Sequence, residues 1–246
     1  MHVGKFSRLG PVDAPIVSDS VRVDALFDPT PADSRRELVL VLDAVEQLIA
    51  ASHLHYRRIQ AAAIHFGTLP EESHSDDIGS EKRATQVAIV ADIGAFIGTL
   101  HRLRLLARRI PGDKETRLAK RAFEAEVRQS AEARHQLEHL DTAVDEISHT
   151  GEGAFGAVSW WESLGGGKGR WVAFFPGTMA EGAEAVTRKP AVLRERIDNI
   201  WCSIAGRHLN VSAMYIAVTH LEARLKKWNE SQAAMGWPAL KESVKT

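Results

Sequence analysis

One cysteine, a net charge of −1 and the lack of any uninterrupted apolar run are the scarcities of this 246-residue chain, and each closes a class of function. The single Cys202 excludes an intramolecular disulfide framework and a cysteine-rich zinc site, and suits a reducing compartment. A near-neutral balance gives no global pull toward nucleic acid or an anionic membrane, so any basic surface has to be a local patch. The most hydrophobic window, 86–105, is broken by Asp92, His101, Arg102 and Arg104 and reads as a buried helix, not a membrane span. The first fifteen residues carry Lys5 and Arg8 with no apolar run behind them, unlike a secretory signal, so the cytoplasm is the expected compartment. Phosphate-loop and nucleophile-elbow patterns are missing too. The glycine-rich stretch Gly165 to Gly169 has no Ser or Thr after Lys168, and Ser159, Ser203 and Ser212 stand in no elbow context. No cofactor is expected.

What is present is a globular composition, 44% hydrophobic and 26% charged, with strong helical patterning. Residues 1–30, with Pro11, Pro15 and Pro29, read as an N-terminal arm, and 31–246 as a single domain. Leu38, Val41, Leu42, Val45, Leu48, Ile49, Tyr56, Ile59, Ala63 and Phe66 recur at three- and four-residue steps, which makes one apolar stripe on a helix about 50 Å long. Asp33 or Ser34 is placed to cap it. A second helix is expected over 80–110 with Ala91, Gly94, Ala95 and Gly98 at its centre, small residues suited to close packing inside the bundle or across a dimer. After the turn Pro111-Gly112-Asp113, a third helix should run to about His149. The period then changes to two: Val158 to Trp161, the glycine turn, and Trp171 to Phe175 predict a β-hairpin, and Ile200, Cys202 and Ile204 a further strand. Leu209 and Val211 continue that strand or start another, and a polar stretch, Arg188 to Asp198, reads as a short helix. Ser212 is a candidate cap for a final helix carrying Met214, Ala217, Val218, Leu221, Leu225 and Trp228. The expected fold is therefore mainly α, an up-and-down long-helix bundle. A small antiparallel β-meander, at about 154–211, is inserted before the C-terminal helix.

The chemistry concentrates in six residues of the third helix, Arg134-His135-Gln136-Leu137-Glu138-His139. An Arg, a polar residue, three further residues and a His on a helix of an all-α bundle resembles the signature of the HEPN superfamily. The string Arg134 to Asp141 also looks like the Arg-Asn-x-x-Glu-His-Phe-Asp pattern of a bacterial branch of it, with His135 replacing Asn and Leu140 replacing Phe. The resemblance implies a homodimer in which two motifs meet in one cleft and, in active members, a metal-independent endoribonuclease with a toxin or defence role. Arg134, His139 and His135 would then be its site. A His titrating near neutrality can take a proton from a ribose 2′-hydroxyl, worth about 10²–10⁴ in rate, while Arg holds phosphate oxygens as charge develops. Arg134 and His139 lie about 140° apart around one helix, so a second subunit has to complete such a site. Arg102, Arg104, Arg108, Arg109, Arg117 and Arg121, together with Lys114 and Lys120, form a local basic excess that suits RNA binding. Alternating aromatics Trp160, Trp161 and Trp171 either stack bases or pack the sheet.

Two other readings remain open. His135, Glu138 and His139 also spell the inverted zincin motif, with two His on one face and Glu222 as a candidate third ligand. Alternatively, Arg134 and Glu138 are an i,i+4 salt bridge worth about 0.3–0.5 kcal/mol, and the domain is a non-catalytic module that binds itself or a protein partner.

Overall fold

In the computed structural model, residues 36–70, 76–139, 155–176, 185–187, 195–204 and 207–235 are described. Three long helices come first: α1 (Arg36–Thr68), α2 (Asp76–Ala107) and α3 (Lys114–Glu138). Four strands follow, β1 (Phe155–Gly165), β2 (Lys168–Phe174), β3 (Ile197–Ile204) and β4 (Arg207–Asn210), and α4 (Val211–Ala234) closes the described chain. The N-terminal arm, the caps at Asp33 or Ser34 and most of the polar stretch before β3 lie outside the described residues.

The apolar stripe of α1 is buried as its spacing demands. Val41, Leu42, Val45, Ile49, Tyr56, Ile59 and Ala63 enter the core, and Leu38, Leu48 and Phe66 pack at its margin. Each helix lies against its successor in the sequence, α1 on α2 and α2 on α3, and α4 returns to α3. By length and composition alone, Glu37–Thr68 and Ile78–Ala107 are apolar enough to cross a membrane. Part of that apolar surface enters the core while Leu40, Leu54, Val87 and Leu105 stay exposed, and α2 buries Asp92 against His55 Nδ1 at 3.0 Å and Arg58 Nε at 3.1 Å.

The sheet is antiparallel with strand order β2-β1-β3-β4. The hairpin of β1 and β2 turns through Gly165, Gly166 and Gly167, all at positive φ (84°, 58° and 75°), a backbone that side chains with a Cβ rarely adopt. Next, β3 pairs with β1 rather than with β2, so β1 is central and β2 is an edge. Sheet and helices share one core. Trp160, fully buried, meets Phe66 of α1 edge-on at 5.8 Å between centroids and Phe174 of β2 at 6.1 Å.

Four boundaries differ from the sequence expectation. Starting at Asp76, α2 begins before the expected Ser80. Ile197 and Asp198 belong to β3, not to a short helix, because they pair with Glu162 and Trp161 of β1. The cap of α4 is Asn210, whose side chain accepts from Ala213 N–H at 2.9 Å. Ser212 lies inside the helix, where its hydroxyl accepts from Ile200 N–H at 2.9 Å and bonds Tyr56 Oη at 2.9 Å. Finally, α3 ends at Glu138, where His139 has left helical geometry at φ −120°, ψ 35°, and the rest of the span expected to about His149 lies outside the described residues.

Candidate functional site

The rotation of α3 is fixed from its first turn. Asp113 caps it by accepting Thr116 N–H at 2.7 Å, and Arg224 of α4 pairs with Asp113 and, at 2.8 Å, with Glu115. Partial desolvation raises the Asp113 pKa, but the hydrogen bonds from Arg224 and Thr116 outweigh it and hold the carboxyl at about 2. Thr116, Phe123, Val127, Ser130 and Ala133 form the buried stripe, which leaves Arg134 half-buried at the border of that face.

At the end of α3 the hexapeptide divides into two groups. Arg134 Nε and Nη2 donate to Glu138 Oε1 at 2.8 and 2.5 Å, the i,i+4 pair. The rings of His135 and His139 come together at 4.6 Å between centroids, tilted by 58°, while His139 N–H still donates to His135 O at 3.1 Å. Both imidazoles are exposed.

Across the α2–α3 seam, Arg134 has a neighbour that the sequence did not single out. His101 of α2 is half-buried, and its Nδ1 has no hydrogen-bond partner among the described residues. Neither have the buried Arg104 Nε of α2 and Gln136 Oε1 of α3. Burial, then the charges of Arg134 and Arg104, lower the His101 pKa below 6.5, with Glu138 opposing and Arg102 adding slightly. A neutral imidazole beside two guanidinium groups can accept a proton without first losing one. Nothing in the local sequence singles out His101, which belongs to no motif; only the packing of α2 on α3 brings it to Arg134.

The basic stretch is largely engaged in holding the bundle. Arg108 pairs with Glu124 of α3 and Arg109 with Glu37 of α1. Arg117 donates to Gly112 O at 3.1 Å, and Lys120 to Ile110 O, satisfying carbonyls at the α2–α3 turn. Arg102 and Arg121 are exposed, and Arg104 is half-buried beside His101. The acidic residues of α3 are drawn off in the same way: Glu124 by Arg108, Glu132 by Arg207 of β4 and Glu138 by Arg134. The negative charge that the sequence places along this helix is therefore partly neutralised.

Glu222, the candidate third zinc ligand, is engaged elsewhere. Its Oε2 bonds His53 Nε2 at 2.7 Å, and His53 Nδ1 bonds Tyr215 Oη at 3.0 Å. Tyr215 stacks on Tyr56 at 3.8 Å between centroids, nearly parallel at 8°. Among the described residues no three His, Cys, Asp or Glu converge as a metal site. Burial pushes the Cys202 thiol up to about 12, which leaves it an inert core group. Of the tryptophans, Trp160 and Trp161 are buried and Trp171 is half-buried at the edge of the sheet.

The central stripe of α2 is half-buried at Gly94 and Gly98 among the described residues. Ala91 and Ala95 are exposed, and a Cβ built on Gly94 or Gly98 would meet nothing within 4 Å.

Comparisons with protein-family models, with curated proteins and with solved structures give no match to this chain.

Proposed function

We propose that the chain is a HEPN-like helical protein that works as a cytoplasmic homodimer and cleaves RNA without a metal. The observation that carries this reading is the convergence of Arg134, Arg104 and a depressed-pKa His101 at the α2–α3 seam, one helical turn from the exposed His135–His139 pair. In the proposed reaction a neutral imidazole takes the proton of a ribose 2′-hydroxyl. The 2′-oxygen bonds to phosphorus, and the 5′-oxygen leaves with a proton from a second imidazole. The products are a 2′,3′-cyclic phosphate and a 5′-hydroxyl, and Arg134 stabilises the phosphorane oxygens between. His135 and His139 supply exposed proton donors, and a partner copy brings its own across the two-fold axis.

The test is incubation of pure protein with single-stranded RNA in EDTA. Cleavage by wild type and its loss in Arg134→Ala and His139→Ala support the reading, and intact RNA after prolonged incubation with wild type sinks it.

A second reading, a non-catalytic dimerisation module or binder of a protein partner, is favoured by the exposure of Ala91 and Ala95 in the small-residue stripe of α2 and by the Arg134–Glu138 bridge. It predicts that Gly98→Leu changes oligomeric state in multi-angle light scattering while Arg134→Ala leaves RNA untouched.

A further inference from the structure

The antiparallel packing of α2 on α3 sets side chains opposite one another in rungs along the seam. At one rung Arg108 donates to Glu124, from Nε at 3.3 Å and also from Nη2. Two turns back along α2, at another, His101 lies beside Arg134 and Glu138. Between them, Arg104 is one turn from Arg108 and Arg128 one turn from Glu124, so the middle rung brings together two guanidinium groups from opposite helices. Both act on the same carboxylate. Hydrogen bonding from Arg108 lowers the Glu124 pKa against slight desolvation, and the charges of Arg108, Arg104 and Arg128 lower it further.

The rungs differ in how far they are satisfied. Glu124 is taken by Arg108 and Glu138 by Arg134, so the carboxylates of the two outer rungs are already paired. Arg104 and Arg128 make no hydrogen bond or ion pair among the described residues. Arg104 is also half-buried, and its Nε is shut off from solvent, where an unmet donor is costly. An anion between the two guanidinium groups would meet the open donor and offset their repulsion at once.

We propose that the Arg104–Arg128 rung binds a backbone phosphate of single-stranded RNA, the one next to the phosphate that reacts at Arg134, so that the strand runs along the seam. This rests on the ribonuclease reading and adds to it a substrate site outside the hexapeptide. A phosphodiester has two non-bridging oxygens, one for each guanidinium fork. Arg104 lies about 4.5 Å along α2 from His101, and Arg128 about 9 Å along α3 from Arg134, separations that one nucleotide step of an unstacked strand can span. Continuity with Arg134 favours a chain of regularly spaced anions over a single acidic side chain. The helix of the motif thus supplies a binding residue, Arg128, that no motif marks.

The test uses the full chain and a labelled 2′-O-methyl oligouridylate of six nucleotides, which lacks the attacking hydroxyl and cannot be cut, in fluorescence anisotropy over a range of salt. Wild type should bind it. Arg104→Gln combined with Arg128→Gln should weaken binding about tenfold at low salt and reduce the slope of log K against log salt by about 0.7, the value of one phosphate on a single strand. Arg128→Gln alone, at an exposed position, should shift both in the same direction and serves where the double variant loses its circular dichroism. Arg83→Gln removes the same charge about 32 Å away along α2 and should change neither. Failure of wild type to bind the oligomer, or a slope and affinity that the variants share with wild type, overturns the proposal. Binding of heptaglutamate that the same variants weaken while the oligomer is unaffected also overturns it, in favour of an acidic protein partner. The outcome is separate from that of the cleavage assay. Cleavage of RNA with an unchanged salt slope keeps the ribonuclease and removes this site, whereas the expected loss of slope without any cleavage keeps a strand-binding site and removes the ribonuclease.

Discussion

Two histidines on neighbouring helices, His53 of α1 and His101 of α2, have opposite surroundings. His53 is satisfied at both ring nitrogens, by Glu222 and by Tyr215, and Tyr215 rests on Tyr56, whose hydroxyl continues to Ser212. The network is closed and joins α1 to α4. His101 has a buried ring nitrogen with no acceptor or donor among the described residues and two guanidinium groups nearby. A closed polar network fixes a packing arrangement, whereas an open one retains capacity to bind something else. By this criterion the α1–α4 face is a closed scaffold, and the α2–α3 seam is where the proposed chemistry would sit.

The contrast is sharpest in the RNA assay. Arg134→Ala should lower cleavage on the order of 10²–10³-fold, as loss of a transition-state donor does, while His53→Ala leaves the rate per folded molecule unchanged. Equal losses from both substitutions would erase the distinction between scaffold and site. Stability should respond in the reverse sense. Glu222→Ala leaves His53 Nε2 without its acceptor and should cost about 1–3 kcal/mol in urea denaturation, more than Arg134→Ala, whose i,i+4 bridge is worth about 0.5 kcal/mol.

Smaller effects sharpen the geometry of the seam. Asp113→Ala removes the cap of α3 and should cost about 1 kcal/mol by thermal melting near neutrality. Its carboxyl is depressed from 3.8 to about 2, so the stabilisation is present above 3.8 and lost as pH falls toward 2. His101 acts in the same direction at higher pH. Its folded pKa is lowered, so the unfolded chain binds more protons and stability rises with pH up to 6.5. His101→Gln should therefore flatten the acid side of the stability profile and coincide with wild type above that value. A profile unchanged by the substitution would show that the imidazole is not in the cationic environment described.

Much of the fold was legible because one-dimensional periodicity reports which face of an element is buried. The α1 stripe from Leu38 to Phe66, the α4 stripe from Met214 to Trp228 and the hairpin around Gly165 to Gly167 all have their predicted positions. Local signals failed where tertiary partners compete. Ser212 looks like a cap in sequence, but Tyr56 and Ile200 claim its hydroxyl and Asn210 takes the cap one residue before the helix. The basic run from Arg102 to Arg121 looks like a binding surface until Glu37 and Glu124 arrive from other helices. The candidate site was half legible. The i,i+4 relations of Arg134 with Glu138 and of His135 with His139 follow from helix geometry alone, but His101 beside Arg134 and Glu222 beside His53 do not.

By itself, then, the sequence determined the class of fold, the helical and strand segments and the hexapeptide as a concentration of chemistry, because these depend on spacing within one element. Only the tertiary structure decided, among the described residues, which charges are consumed in pairs, that His101 has a buried ring nitrogen without a partner and which strand lies at an edge of the sheet. Those outcomes depend on how surfaces from distant parts of the chain meet, and side-chain periodicity carries no record of the partner.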